Sequence, residues 1–210
     1  MIGIYKNSFN FKPFDATKCG LPSEKKLSAE GGRPGAEPYW GSYFVWNYMY
    51  SDLRGQNWTD TKLNIDGERQ LFVELDKKAN NKAEFETMID RFEKLSGTTL
   101  DLGTNSICLA ISAAGGAPIA SCRGHQSSGY HGREPQPIIM FFAQSKLAQN
   151  IANLVKQLRD QNKNIVILNN VNMSPGQKQD HIDDKKMIIL SSNCVTNFID
   201  LAELMFNNQE

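Results

Sequence analysis

From residue 104 onward, hydrophobic positions along the chain switch between a helical period and a strand period at regular intervals. Thr104 or Asn105 caps a helix through Ala114 that ends at Gly115-Gly116. Apolar stretches over Ala117 to Cys122 and Pro137 to Phe142 then read as strands. A second unit of the same pattern follows. Ser145 caps a helix from Lys146 to Gln161 with Leu147, Ile151, Leu154, Val155 and Leu158 on one stripe, and strands follow over Asn164 to Val171 and Lys186 to Leu190. A last helix from Asn193 buries Val195, Phe198, Ile199, Ala202 and Met205 or Phe206. The pattern is α-β-β-α-β-β-α, repeated in pattern and not in residue identity. The expected fold class is α/β (α+β): duplicated α-β-β units forming a mixed four-stranded sheet covered by helices.

The first half is patterned less regularly. Residues 1–38 carry Pro13, Pro22, Pro34 and Pro38 among several glycines and read as irregular. Tyr43, Trp46, Met49, Tyr50 and Leu53 fall at helical spacing, predicting a helix within 39–53. Between Leu63 and Leu75, partial alternation around Asp66-Gly67 predicts a small hairpin, since Asp-Gly commonly joins two strands. Asn80 or Asn81 then caps a helix with Phe85, Met88, Ile89, Phe92 and Leu95 on one face, stopped by Gly97. Three segments result: an aromatic-rich N-terminal segment over 1–60 packed on the core, a hairpin and helix over 61–100, and the α-β-β-α-β-β-α core over 101–210. Twelve of the 20 aromatic residues lie before residue 60. They read as a packed cap, because a base-stacking platform would need interleaved Lys and Arg.

Short connections make consecutive elements antiparallel, so directions follow by counting. The end of strand Ala117 to Cys122 then shares an edge with two helix starts, at Thr104-Asn105 and at Ser192-Asn193. Helix N-termini favour anions and thiolates. With Arg123, Arg133, His125 and His131 in the adjoining loop, this edge is expected to be locally basic. The loop over 172–185, with Asp180, His181, Asp183 and Asp184, falls on the opposite edge and reads as a solvated tip. The candidate site is therefore the stretch from Ser121 to His131. Cys122 is the candidate nucleophile or pocket wall, His125 and His131 the proton-transfer groups, and Ser121, Arg123, Gly124, Arg133, Thr104, Asn105, Ser192 and Asn193 the ligand-binding residues. Cys122, His125 and His131 match no zinc-finger spacing, and no metal is assigned.

Composition narrows the partners. Lys plus Arg equals Asp plus Glu at 23 each, so no global field draws in nucleic acid as a main partner. No apolar run reaches the roughly 18 residues of a membrane span, and the first residues, whose apolar segment is short, are not expected to act as a signal peptide. Cys19, Cys108, Cys122 and Cys194 are scattered, as in a reducing compartment, and a cytoplasmic location is expected. Neither nucleotide-binding glycine pattern is present, and composition and spacing name no cofactor.

The stretch Ala120-Ser121-Cys122-Arg123-Gly124-His125, between a helix and a strand rich in Ile, Met and Phe, resembles the Ser-Ser-Cys-Ser-Gly-Arg stretch of the wybutosine-synthesising tRNA methyltransferase family. Similar Ser-Cys-x-Gly-His stretches occur in bacterial and phage proteins. The resemblance spans Thr104 to Phe142, matches at Ser121, Cys122 and Gly124, and departs at Ala120 and His125. It implies S-adenosylmethionine and a tRNA substrate, against which the neutral charge weighs. Three functions stay open: a small anionic ligand bound at Ser121 to His125 with catalysis through Cys122 and His125, an interaction or assembly protein acting through a protein partner or a second copy, and S-adenosylmethionine-dependent RNA modification.

Overall fold

The computed structural model describes residues 11–21, 56–96, 100–124, 136–170 and 187–209. Its elements are β1 (Phe11–Pro13), a single 3-10 turn (Ala16–Lys18), α1 (Trp58–Lys78), α2 (Lys82–Ser96), α3 (Asn105–Ala113), β2 (Ala117–Cys122), β3 (Ile138–Phe142), α4 (Ser145–Asp160), β4 (Ile165–Asn170), β5 (Ile188–Ser192) and α5 (Thr196–Asn207). The fold class is mixed α/β, and the elements of the C-terminal half lie where their periodicity puts them. The helix expected within 39–53, the histidine-bearing loop after Gly124 and the loop over 172–185 lie outside the described residues.

The five strands among the described residues form one sheet in the order β1-β4-β5-β3-β2, and each neighbouring pair is antiparallel. A mixed, four-stranded sheet is thus corrected on both counts. The extra strand, β1, is three residues long and pairs Phe11 with Asn170 and Pro13 with Leu168. Proline, which signals irregular chain, is tolerated there because β1 is an edge strand. β2, the other edge, carries Pro118 beside a register irregularity between Pro118 and Ala120. Both edges thereby resist pairing with another sheet.

The sheet buries both faces. Ile139, Phe141, Ile165, Ile188 and Leu190 pack with the helices in the main core. Ile119, Ile138, Met140, Phe142 and Ile189 form a second cluster on the other face. The unbroken apolar runs of β3 and β5 are the signature of central strands covered on both sides. Phe141, Phe142 and Phe198 are fully buried. Each such side chain contributes about 1.5–3 kcal/mol relative to exposure.

The expected hairpin over Leu63 to Leu75 is overturned, since a 21-residue helix runs through it. Its buried stripe is Thr61, Ile65, Glu68 and Phe72, spaced by four, three and four residues. Leu63 and Val73, two of the alternating positions, are 67% and 48% exposed. The Asn57 side chain caps the helix by accepting the Asp60 N–H at 2.9 Å. Gly67 lies on the exposed side, where it costs about 1 kcal/mol relative to alanine. The packing of α1 on α3 and α5 outweighs that local cost.

A Cβ at Gly67 would meet nothing within 4 Å. Gly67→Ala is therefore expected to stabilise the protein by about 0.5–1 kcal/mol, read as a higher urea midpoint at unchanged slope. A lower midpoint would contradict a continuous α1.

Candidate functional site

The predicted edge exists. Cys122 pairs with Ile138, Ile138 with Ser191 and Ile165 with Ser192, so the end of β2, the starts of β3 and β4 and the end of β5 lie together. Strand geometry then separates the residues that adjacency in sequence places together. Successive side chains on a strand point to opposite faces. Ser121 is buried toward α3, where it meets the Cys108 thiol. Cys122 is half-buried against the apolar cluster on the other face. Arg123 turns back toward α2.

There Arg123 is caged. Its side chain is only 2% exposed and ion-pairs with Glu86 at 2.5 Å, with Glu93 at 3.1 Å and with Asp90. Its backbone N–H donates to Asp101 at 3.1 Å. Glu93 also accepts the Leu102 N–H at 2.7 Å, which joins the cage to the turn before α3. Burial alone would pull the guanidinium down, but the charges of Glu93, Glu86 and Asp90 more than offset it and hold its pKa above the ordinary value. Burial raises the Glu93 carboxyl even with Arg123 beside it, and the nearby Asp101 charge adds to the rise. Three carboxylates thus surround one guanidinium while a fourth, Asp101, holds its backbone N–H, and the described part of this edge is acidic. The expectation of a locally basic edge with Arg123 free for an anion is corrected: the anion that Arg123 binds is the acidic stripe of α2. Glu86, Asp90 and Glu93 were legible as that stripe, spaced i, i+4, i+7 on the clearest amphipathic helix of the first half.

The start of α3 is filled in the same way. Thr104 occupies the N-cap but makes no side-chain cap bond; its hydroxyl donates to the Asp101 carbonyl at 2.7 Å. Glu68, reaching over from α1, accepts the Ser106 N–H at 3.0 Å, the Gly103 N–H and the Ser106 hydroxyl. A carboxylate from another helix therefore satisfies the orphan N–H groups of this terminus. Asn105 donates to Asn64 at 3.1 Å. At the start of α5, the Ser192 hydroxyl donates to the Asn164 carbonyl at 2.9 Å and accepts from Asn197 at 2.8 Å and from the Cys194 N–H at 3.2 Å. Asn193 accepts from Asn197 at 3.4 Å. Thr104, Asn105, Ser192 and Asn193, read as ligand-binding, all serve the protein's own polar groups.

Two thiols of this region differ. Burial pushes the Cys108 thiol up to about 12, with Ser121 pulling the other way, so it stays protonated in the core. The Cys122 sulfur accepts the Gly124 N–H at 3.4 Å. Gly124 has φ +80°, and a Cβ there would lie 2.9 Å from the Gln136 carbonyl carbon and the Pro137 nitrogen. Only glycine fits this turn. His125, His131 and Arg133 lie outside the described residues.

No family model, curated protein or solved structure matches the chain. No helix among the described residues is long and apolar enough to cross a membrane.

Burial raises the Glu68 carboxyl above its ordinary 4.5 against the opposing hydrogen bonds from Ser106 and Gly103. The folded chain then takes up this proton at a higher pH than the unfolded chain does. Stability attributable to Glu68 rises as pH falls through the folded value and levels off below 4.5. In urea denaturation from pH 8 downward, wild type is expected to gain stability relative to Glu68→Gln. A constant gap between the two would contradict a buried, charged Glu68.

Proposed function

We propose that the chain is a thiol-dependent small-ligand-binding protein whose reactive group is Cys122, with His125 as its proton partner and His131 in support. The observation that carries this reading is the N–H of Gly124 donated to the Cys122 sulfur in a turn clamped on both sides. A hydrogen bond donated to sulfur favours the thiolate. The Arg123 cage holds one end of that turn and the close packing of Gly124 on Gln136 and Pro137 holds the other. Such fixed placement suits a nucleophile, which must meet its substrate in one geometry. Arg123 acts here as the anchor of the turn. An anionic group on the ligand falls to Arg133.

A second reading, an interaction or assembly protein, rests on Leu63, Val73, Phe92 and Leu95. These large apolar side chains of α1 and α2 stay between 38% and 79% exposed.

Site-resolved alkylation of Cys122 by iodoacetamide across pH decides between them. Under the thiol reading the midpoint falls below the free-thiol value of about 8.5 and rises in His125→Ala. A Cys122 that is inert, or ordinary and indifferent to His125, contradicts it and moves the weight to the interaction reading.

A further inference from the structure

A groove of about 560 Å³ lies at the end of the helical layer opposite the Cys122 edge. Its size is within the ~300–1,000 Å³ of ordinary ligand pockets. Four helix ends meet at its rim: α1 begins there at Trp58 and α4 at Ser145, while α3 ends at Ala113 and α5 at Asn207. Two positive and two negative dipole ends oppose one another, so neither sign of ligand charge is favoured. The described lining holds no carboxylate and one ammonium, Lys146. Its other polar side chains are amides, among them Gln144, Asn150 and Gln157, all on exposed positions of or beside α4. Gln144 occupies the N-cap of α4 without a side-chain cap bond. Trp58 and Leu147, both partly buried against the main core, supply apolar surface to the lining. The Trp58 ring is steadied edge-on by Phe206, with centroids 6.2 Å apart.

An amide both donates and accepts, as a hydroxyl does. An indole offers a flat apolar face for C–H groups. A neutral ligand carrying rings of hydroxyls over an apolar face matches both together. Among the described lining residues a cationic ligand would find no carboxylate, and an anionic one would find Lys146 alone. An extended peptide would use the amides, but only a proline or aromatic side chain on it would cover the ring. We propose that this groove binds a neutral carbohydrate, with Trp58 as the stacking surface and Asn150 and Gln157 as hydrogen-bonding groups. The proposal is independent of the thiol site.

The test uses the full chain, ¹⁵N-labelled, titrated with methyl β-glucopyranoside, cellobiose, maltose, lactose and N-acetylglucosamine, and with glucose 6-phosphate and triglycine as contrasts. At least one neutral sugar is expected to shift the Trp58 indole and the Asn150 and Gln157 side-chain amides. Asn150→Ala, at an exposed position that the fold does not require, is expected to weaken that sugar about tenfold. Trp58→Phe should weaken it less than Trp58→Ala, and should stay folded if Trp58→Ala does not. The proposal is overturned if no neutral sugar shifts these signals, if triglycine does so in their place, if glucose 6-phosphate binds more tightly than the neutral sugars, or if Asn150→Ala leaves the affinity unchanged.

Discussion

One buried guanidinium ties the first half of this chain to the sheet. Arg123, just past the end of β2, holds Glu86, Asp90 and Glu93 of α2 together. Each needs the other. Without Arg123, α2 would carry three like charges on one stripe, each repelling the next. Without the three carboxylates, a nearly fully buried charge would be left without compensation. The cost of burying the ions is eased by geometry, because Glu86 and Asp90 remain 28% and 44% exposed while the guanidinium is enclosed. Glu93, the most buried of the three, links the cage onward to the Leu102 N–H and so to the start of α3.

The same logic recurs at that start. Glu68 of α1 lies in the main core beside Ile65 and Phe72 and meets the backbone of Gly103 and Ser106. Two acidic groups of side chains from two N-terminal helices thus answer two electropositive features of the C-terminal half, one guanidinium and one helix terminus. The features that would attract an external anion are used to dock α1 and α2. The half-buried thiol of Cys122 stands on the other face of β2, in a turn that Arg123 anchors.

Much of the C-terminal half was legible because its elements are short, regular and strongly patterned. The β2 strand and the apolar stripe of α4 stand out from their neighbours by period alone. The topology that puts Cys122, the start of α3 and the end of β5 on one edge also followed, since short connections leave few alternatives. Where reading failed, a local signal outvoted a longer one. Asp66-Gly67 is a turn dipeptide, yet the helical spacing of Thr61, Ile65, Glu68 and Phe72 spans it, and tertiary packing overrides one exposed glycine. β1 is too short, and too rich in proline, to declare itself. At the site, adjacency of Ser121, Cys122 and Arg123 suggested convergence, although the strand period already sends neighbouring side chains to opposite faces. The acidic stripe of α2 was visible in the spacing of Glu86, Asp90 and Glu93, but its partner lies some 30 residues away, a pairing that spacing alone does not encode.

The central claim is that Arg123 binds the protein's own carboxylates. A double-mutant cycle measures it directly, using urea denaturation of wild type, Arg123→Met, Glu93→Gln and the double variant at neutral pH. Arg123→Met is expected to cost about 3–5 kcal/mol, as breaking a buried pair does. The two substitutions together should cost less than their sum by at least about 1 kcal/mol, the coupling that neighbours in one network show. Additive losses, or an Arg123→Met variant as stable as wild type, would contradict the account and return Arg123 to the role of a ligand-binding side chain.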